Sequence, residues 1–246
     1  MTTTTSYLNE KNIARSTNSV EYHPLRPFLP ENAQVLFLGS FPPQRKRWCM
    51  DFYYPNFIND HWRIEGQLFF GDKNHFVDTE HKCFKIDDII AFCREKGLAF
   101  YDTSTAIRRL QDNASDKFLE VVEPTDVRAL ISKLPHLRAI VTTGEKATAT
   151  ICATLGIPEV PKVNTSVLVS AAPPLTSHFS PLTSHLAPKA HSPLTSHFSL
   201  LTLRQRRTTS PFSLWRLPSS SRAYPLAFDK KVEAYRLMFK EVFDEI

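Results

Sequence analysis

The chain has 246 residues, with 30 Lys+Arg against 25 Asp+Glu, a formal net charge of +5. At 42% hydrophobic and 22% charged it has the composition of a globular protein, and no stretch approaches the roughly 18 apolar residues of a membrane helix. The N-terminus, Met1-Thr-Thr-Thr-Thr-Ser, lacks the basic and apolar regions of a secretory leader. Cys49, Cys83, Cys93 and Cys152 form no C-x-x-C pair, which argues against a zinc ribbon or clustered iron–sulfur site and for a reducing, cytoplasmic setting.

Residues 1–29 read as a flexible arm. Val35-Leu-Phe-Leu38, ended by Gly39, predicts a buried strand, and a Pro- and aromatic-rich loop follows. Ile86, Ile89, Ile90 and Cys93 have the spacing of an amphipathic helix over 86–96, with Gly97 at its end. Leu98–Tyr101 predicts a second strand. Pro124 is expected to open a helix running through Val127, Leu130, Ile131 and Leu134. Leu137–Val141 predicts a third strand, and Glu145–Leu155 a helix. Strands alternating with helices argue for an α/β fold, a three-layer α/β/α sandwich with a central parallel sheet of about four strands.

Between Glu159 and Asp229 there is no acidic residue, and inside that gap the chain repeats itself. Pro174-Leu-Thr-Ser-His-Phe-Ser is followed by Pro181-Leu-Thr-Ser-His and by Pro193-Leu-Thr-Ser-His-Phe-Ser. A seven-residue unit cannot bury a core, so 170–210 reads as a low-complexity, disordered insertion in one domain made of 30–169 and 211–246. Four of the nine histidines lie in this tract; either they are carried along with the repeat or they bind a metal, the first being the simpler reading. A fourth strand is expected over Phe212–Leu217, and a C-terminal helix from Asp229 as N-cap, buried through Val232, Tyr235, Met238 and Phe239.

Two loops follow strand ends, Gly39-Ser-Phe-Pro-Pro43 and Leu217-Pro-Ser-Ser-Ser221, where parallel sheets place their sites. Gly39 permits close backbone approach to a ligand, and a Ser-rich loop offers amides and hydroxyls to phosphates. Neither loop is a Walker or dinucleotide fingerprint. Between them, Trp48–Arg63 carries six aromatics in sixteen residues: either a core lid, or a stacking wall for a planar ligand with Asn59 at its edge. Asn59 could equally cap a helix starting near Asp60. Arg45-Lys-Arg47 is a solvated charge run or a phosphate contact, and Asp51 and Asp60 are loop acids able to assist a water.

The order Leu38-Gly-Ser-Phe-Pro, Phe52-Tyr-Tyr-x-x-x-x-Asn-x-x-Trp62, Val141-Thr-Thr-Gly-Glu-Lys-Ala and Leu217-Pro-Ser-Ser-Ser resembles the uracil-DNA glycosylase superfamily, over roughly residues 30–165 and 211–245. Two departures stand out. Phe41 occupies the first-motif position where most branches carry Asp or Asn, and Leu217 the position where His or Asn often leads the second. The hypoxanthine-DNA glycosylase branch resembles this chain in both respects. The resemblance implies a monofunctional repair enzyme that flips out a deaminated base, hypoxanthine or uracil, and hydrolyses its glycosidic bond. Asn59 would be catalytic, with Gly39, Ser40, Phe41, Pro42 and Tyr54 forming the base pocket. Pro218, Ser219, Ser220, Ser221, Arg222, Tyr224, Lys46 and Arg47 would contact DNA. It implies a monomer acting on DNA with no metal or cofactor and no membrane. The other readings are a non-catalytic DNA- or lesion-binding protein of the same fold, and an α/β protein acting on free nucleotides.

Overall fold

The computed structural model describes residues 19–110, 118–170 and 210–243. The elements in chain order are β1 (Val20–Tyr22), β2 (Val35–Gly39), α1 (His61–Phe70), β3 (Val77–Asp78), β4 (Cys83–Phe84), α2 (Ile86–Lys96), β5 (Leu98–Asp102), β6 (Ser104–Arg109), β7 (Leu119–Pro124), α3 (Val127–Ile131), β8 (Ala139–Thr143), α4 (Glu145–Leu155), β9 (Thr165–Val169), β10 (Phe212–Leu217) and α5 (Phe228–Val242). A 3₁₀ turn covers Arg45–Arg47.

The central sheet has five strands in the order β5-β2-β8-β10-β9. Its first four are parallel, and β9 is an antiparallel edge. Strand side chains alternate between faces, so each strand supplies two layers. Phe37, Phe100 and Val141 lie level on neighbouring strands and face α1 and α5: Phe37 stacks on Phe100 and meets His61, Tyr235 and Phe239. Leu36, Leu38, Ile140 and Thr142 point the other way, where the Thr142 hydroxyl shares a 2.8 Å hydrogen bond with Thr148 of α4. Helices therefore cover both faces, and continuous apolar runs such as Val35–Leu38, each residue fully buried, are what such strands need.

A second, antiparallel sheet, β1-β6-β7, stands beside the first. Of the arm expected over 1–29, residues 19–29 carry β1 and then lie on the core. Phe28 exchanges both backbone hydrogen bonds with Phe100, and Leu25, Phe28 and Leu29 pack against buried residues. The alternation that would have marked this stretch is hidden by Pro24, Pro27 and Pro30.

Pro124 closes β7 rather than opening a helix. The turn of α3 starts three residues later because Asp126 caps it, its carboxylate accepting from Ala129 N–H at 2.9 Å. Asp229 is likewise not the cap of α5; it sits in the first turn, after Ala227, where a carboxylate still favours the positive end of the helix. The repeat tract expected over 170–210 lies outside the described residues, apart from its end residues. Its two ends meet, since Val169 pairs with Phe212 across β9 and β10.

Candidate active site

Register brings the strand ends level. Gly39 of β2 pairs with Asp102 of β5, and Leu217 of β10 with Thr143 of β8. All four residues line one cavity of about 850 Å³ at the carboxyl edge of the sheet. The expected base-pocket residues Gly39, Ser40, Phe41, Pro42 and Tyr54 line it, as do Asn59, Arg47, Tyr224 and Pro218 through Ser221. Lys46 and Arg222 do not.

Three segments build the walls. The first loop, after β2, places Phe41 with Ile107 and Leu119 of the small sheet in an apolar cluster of its own. Arg109 of β6 braces this loop, donating to Pro42 O at 3.2 Å and forming two bonds to Glu21 of β1 at 3.1 and 3.0 Å.

The second segment is the aromatic stretch. Half of its six aromatics, Phe52, Tyr53 and Trp62, are core: Trp62 is fully buried, its indole N–H donating to Tyr53 O at 3.0 Å. Tyr54, like Trp48 and Phe57, is only partly buried. Its φ of 50° lies in the left-handed region, which costs a bulky residue about 1–3 kcal/mol. The ring lies on His61, with centroids 3.7 Å apart and planes 17° off parallel, and its hydroxyl shares a 3.1 Å hydrogen bond with Thr143. Those contacts fix the ring at the cavity wall.

Asn59 follows. Its Oδ1 accepts from His61 N–H, the first of α1, at 2.9 Å, although the N-cap of that helix is Asp60. Because a backbone N–H can only donate, the oxygen must face it. The Nδ2 amide, with no hydrogen-bond partner among the described residues, is then the end left over. Holding the start of α1 and presenting a donor are two ends of one amide group.

The third segment is the Ser-rich loop, joined directly to the second. Asp60 N–H donates to Ser220 O at 3.0 Å, and Asn59 forms an antiparallel bridge with Ser221. Beneath the join, Asp60 is buried. Its carboxylate accepts from Arg222 Nε at 2.8 Å and lies 3.8 Å from the ammonium of Lys231, whose side chain is 2% exposed and which donates to Ser221 O at 2.7 Å. Burial lowers the Lys231 pKa, with Asp60 opposing that shift. Asp60 is therefore a structural anchor and lines no part of the cavity, and Asp51 pairs with Arg45 at the surface. Arg222 holds the loop through Asp60. The Ser219 and Ser221 hydroxyl oxygens accept from Ser221 and Ala223 N–H, both at 3.2 Å, while Ser220 is buried.

Asp102 and His23 carry no sequence signal as site residues, yet Asp102 lines the cavity and His23 holds it. Asp102 is 7% exposed, lines the cavity and accepts from His23 Nε2–H at 2.8 Å. A methyl group on Gly39 would overlap its Oδ1. Gly39, which itself lines the cavity, thus leaves room for a neighbouring carboxylate. Register alone could have hinted at Asp102, since it ends the strand beside Gly39.

No protein-family model and no curated protein matches the chain. Among solved structures, it is similar to a solution NMR structure from Methanosarcina acetivorans, of a protein provisionally named a uracil DNA glycosylase. The identity is 19%, the match covers 91% of this chain and 99% of that one, and the TM-score is 0.53. The likeness is one of fold.

Proposed function

We propose that this chain is a DNA glycosylase of the uracil-DNA glycosylase superfamily, acting on a deaminated base in the manner of its hypoxanthine branch. The observation that carries the reading is the free Nδ2 amide of Asn59, a fixed donor at a cavity whose walls are the two loops and the braced ring of Tyr54. The fold of the provisionally named glycosylase supports it.

A base inside a duplex must be rotated out before a side chain can reach its glycosidic bond, at a few kcal/mol of unstacking. The Pro218–Tyr224 loop is the element suited to press into the duplex. It is held from below by Asp60, Arg222 and Lys231, so pressure on it is carried into α1 and α5. Tyr224, at the cavity rim, fills the vacated space, and Lys46 and Arg47, both exposed, take phosphates. The extruded base lies against Phe41 and Tyr54. Asn59 Nδ2 donates to the base as its bond to C1′ lengthens and negative charge develops on it. A pre-aimed donor of this kind is worth about 10²–10³ in rate.

The test is release of base from duplex oligonucleotides carrying hypoxanthine, uracil or xanthine, beside the matching free nucleosides. Release from one or more of the duplexes, leaving an abasic site that alkali then cleaves, is the expected result. Hydrolysis of free nucleosides alone would overturn the proposal in favour of a nucleoside-directed enzyme.

A further inference from the structure

We infer that Asp102 is the base that takes the proton of the attacking water, and that His23 is its positioning residue. This rests on the glycosylase reading above. A positioned base needs one oxygen anchored and one free, and Asp102 has that division. Oδ2 is held by His23 Nε2–H at 2.8 Å, whereas Oδ1, lying over Gly39, has no hydrogen-bond partner among the described residues. The backbone around it is pinned: Thr125 Oγ1 donates to Asp102 O at 2.7 Å, and Thr103 N–H to Gly39 O at 2.8 Å.

Elimination points the same way. Two carboxylates line the cavity among the described residues. That of Glu145 is 84% exposed and faces Arg216, while that of Asp102 is 10% exposed. Asp60 lies outside the cavity with both oxygens engaged by cations.

His23 suits its role in either charge state. Its Nδ1 lies 3.1 Å from Leu25 N and 2.8 Å from Leu25 O. The neutral ring accepts from the one, and the protonated ring donates to the other. Nε2–H stays on Asp102 in both cases, so a change of charge on the ring does not release the carboxylate.

The step balances as follows. The water oxygen bonds C1′ of the deoxyribose as one of its protons passes to Asp102 Oδ1. The C1′–N bond breaks, and its electron pair leaves with the base, which Asn59 Nδ2 stabilises. The base takes up a proton from solvent, and Asp102 returns its own to solvent. The net change is addition of water across the glycosidic bond.

The experiment measures single-turnover base release and DNA binding for the wild type, Asp102→Asn and Asp102→Ala, with formate added to the last. Asn keeps the shape and an acceptor for His23 but is no base. The expected result is unchanged DNA affinity and folding for Asp102→Asn, with release slowed about 10²–10⁴-fold, the usual worth of a positioned base. Formate, entering the space left in Asp102→Ala, should restore part of the rate, which a merely structural carboxylate would not allow. Wild-type release by Asp102→Asn from an active enzyme would overturn the inference and leave the glycosylase reading standing. A wild type that releases no base from any duplex would remove that reading, and the inference with it.

Discussion

Replacing Asp60 by Ala should loosen the join between Asn59 and the Ser-rich loop, and its cost follows from two unequal ion pairs. The Arg222 side chain is 51% exposed, so its pair is worth no more than about 1 kcal/mol. Lys231 is different. With a side chain 2% exposed and an ammonium 3.8 Å from the Asp60 carboxylate, it loses about 4 kcal/mol of attraction at an effective dielectric of 20. Relaxation and water reaching the stranded ammonium recover part of this, which leaves about 3 kcal/mol, the lower end for breaking a buried pair. For a domain of this size that lowers Tm by about 6–12 °C. The loss must also depend on pH. Burial holds Lys231 below its ordinary value of 10.5, and without Asp60 it falls further. Between the folded and ordinary values the unfolded chain binds more protons, so the variant gains stability as pH rises and its deficit narrows toward pH 10. Thermal unfolding followed by circular dichroism from pH 7 to 10 measures this. Adding Lys231→Met removes the stranded cation and should recover most of the loss. A Tm within about 2 °C of the wild type, or no recovery in the double variant, would refute the reasoning.

Three further outcomes are expected. Glu65 and His61 are fully buried, and their side chains have no hydrogen-bond partner among the described residues; burial raises the Glu65 pKa well above 4.5 and lowers that of His61 well below 6.5. Above pH 4.5 the unfolded chain releases a Glu65 proton that the folded chain keeps, so stability is lost as pH rises; Glu65→Gln should therefore gain Tm over the wild type progressively from pH 5 to 8, and a pH-independent difference would contradict this. Lys46→Ala with Arg47→Ala should weaken DNA binding alike for all sequences and flatten the dependence of log K on log salt by up to about two units, read by fluorescence anisotropy between 50 and 200 mM salt. Because Val169 pairs with Phe212, replacing 170–211 by Asn-Gly, the favoured two-residue hairpin turn, should leave a soluble, cooperatively folding protein; aggregation would show that the tract is structural.

The parallel strands and most helices were legible because their signals are local. Val35–Leu38, Ile86–Lys96 and Glu145–Leu155 carry an apolar run or a helical period, with a terminating glycine after each. The small sheet was not legible. Its strands are short, β1 is followed by prolines, and β7 reads Leu-Glu-Val-Val-Glu-Pro, with no clean alternation. At the site, Asn59, Tyr54 and both loops could be found because they lie in motif-like stretches. Asp102 and His23 could not, since one ends an ordinary buried strand, the other sits in an apparent arm, and they meet across 79 residues of sequence. The ion-pair anchor under the Ser-rich loop spans 162 residues, and only the fold reveals that Arg222 faces Asp60.

The central claim is that the Asn59 amide donates to the departing base, and one comparison tests it most directly: single-turnover base release, with DNA affinity measured beside it, for the wild type, Asn59→Ala and Asn59→Asp. The Asp variant can still accept from His61 N–H but turns the free donor into a charge that repels the developing anion. The account predicts near-wild-type DNA binding by Asn59→Ala, release by it slowed about 10²–10³-fold, and release by Asn59→Asp slower still. Full activity in Asn59→Ala, or faster release by Asn59→Asp, would contradict it.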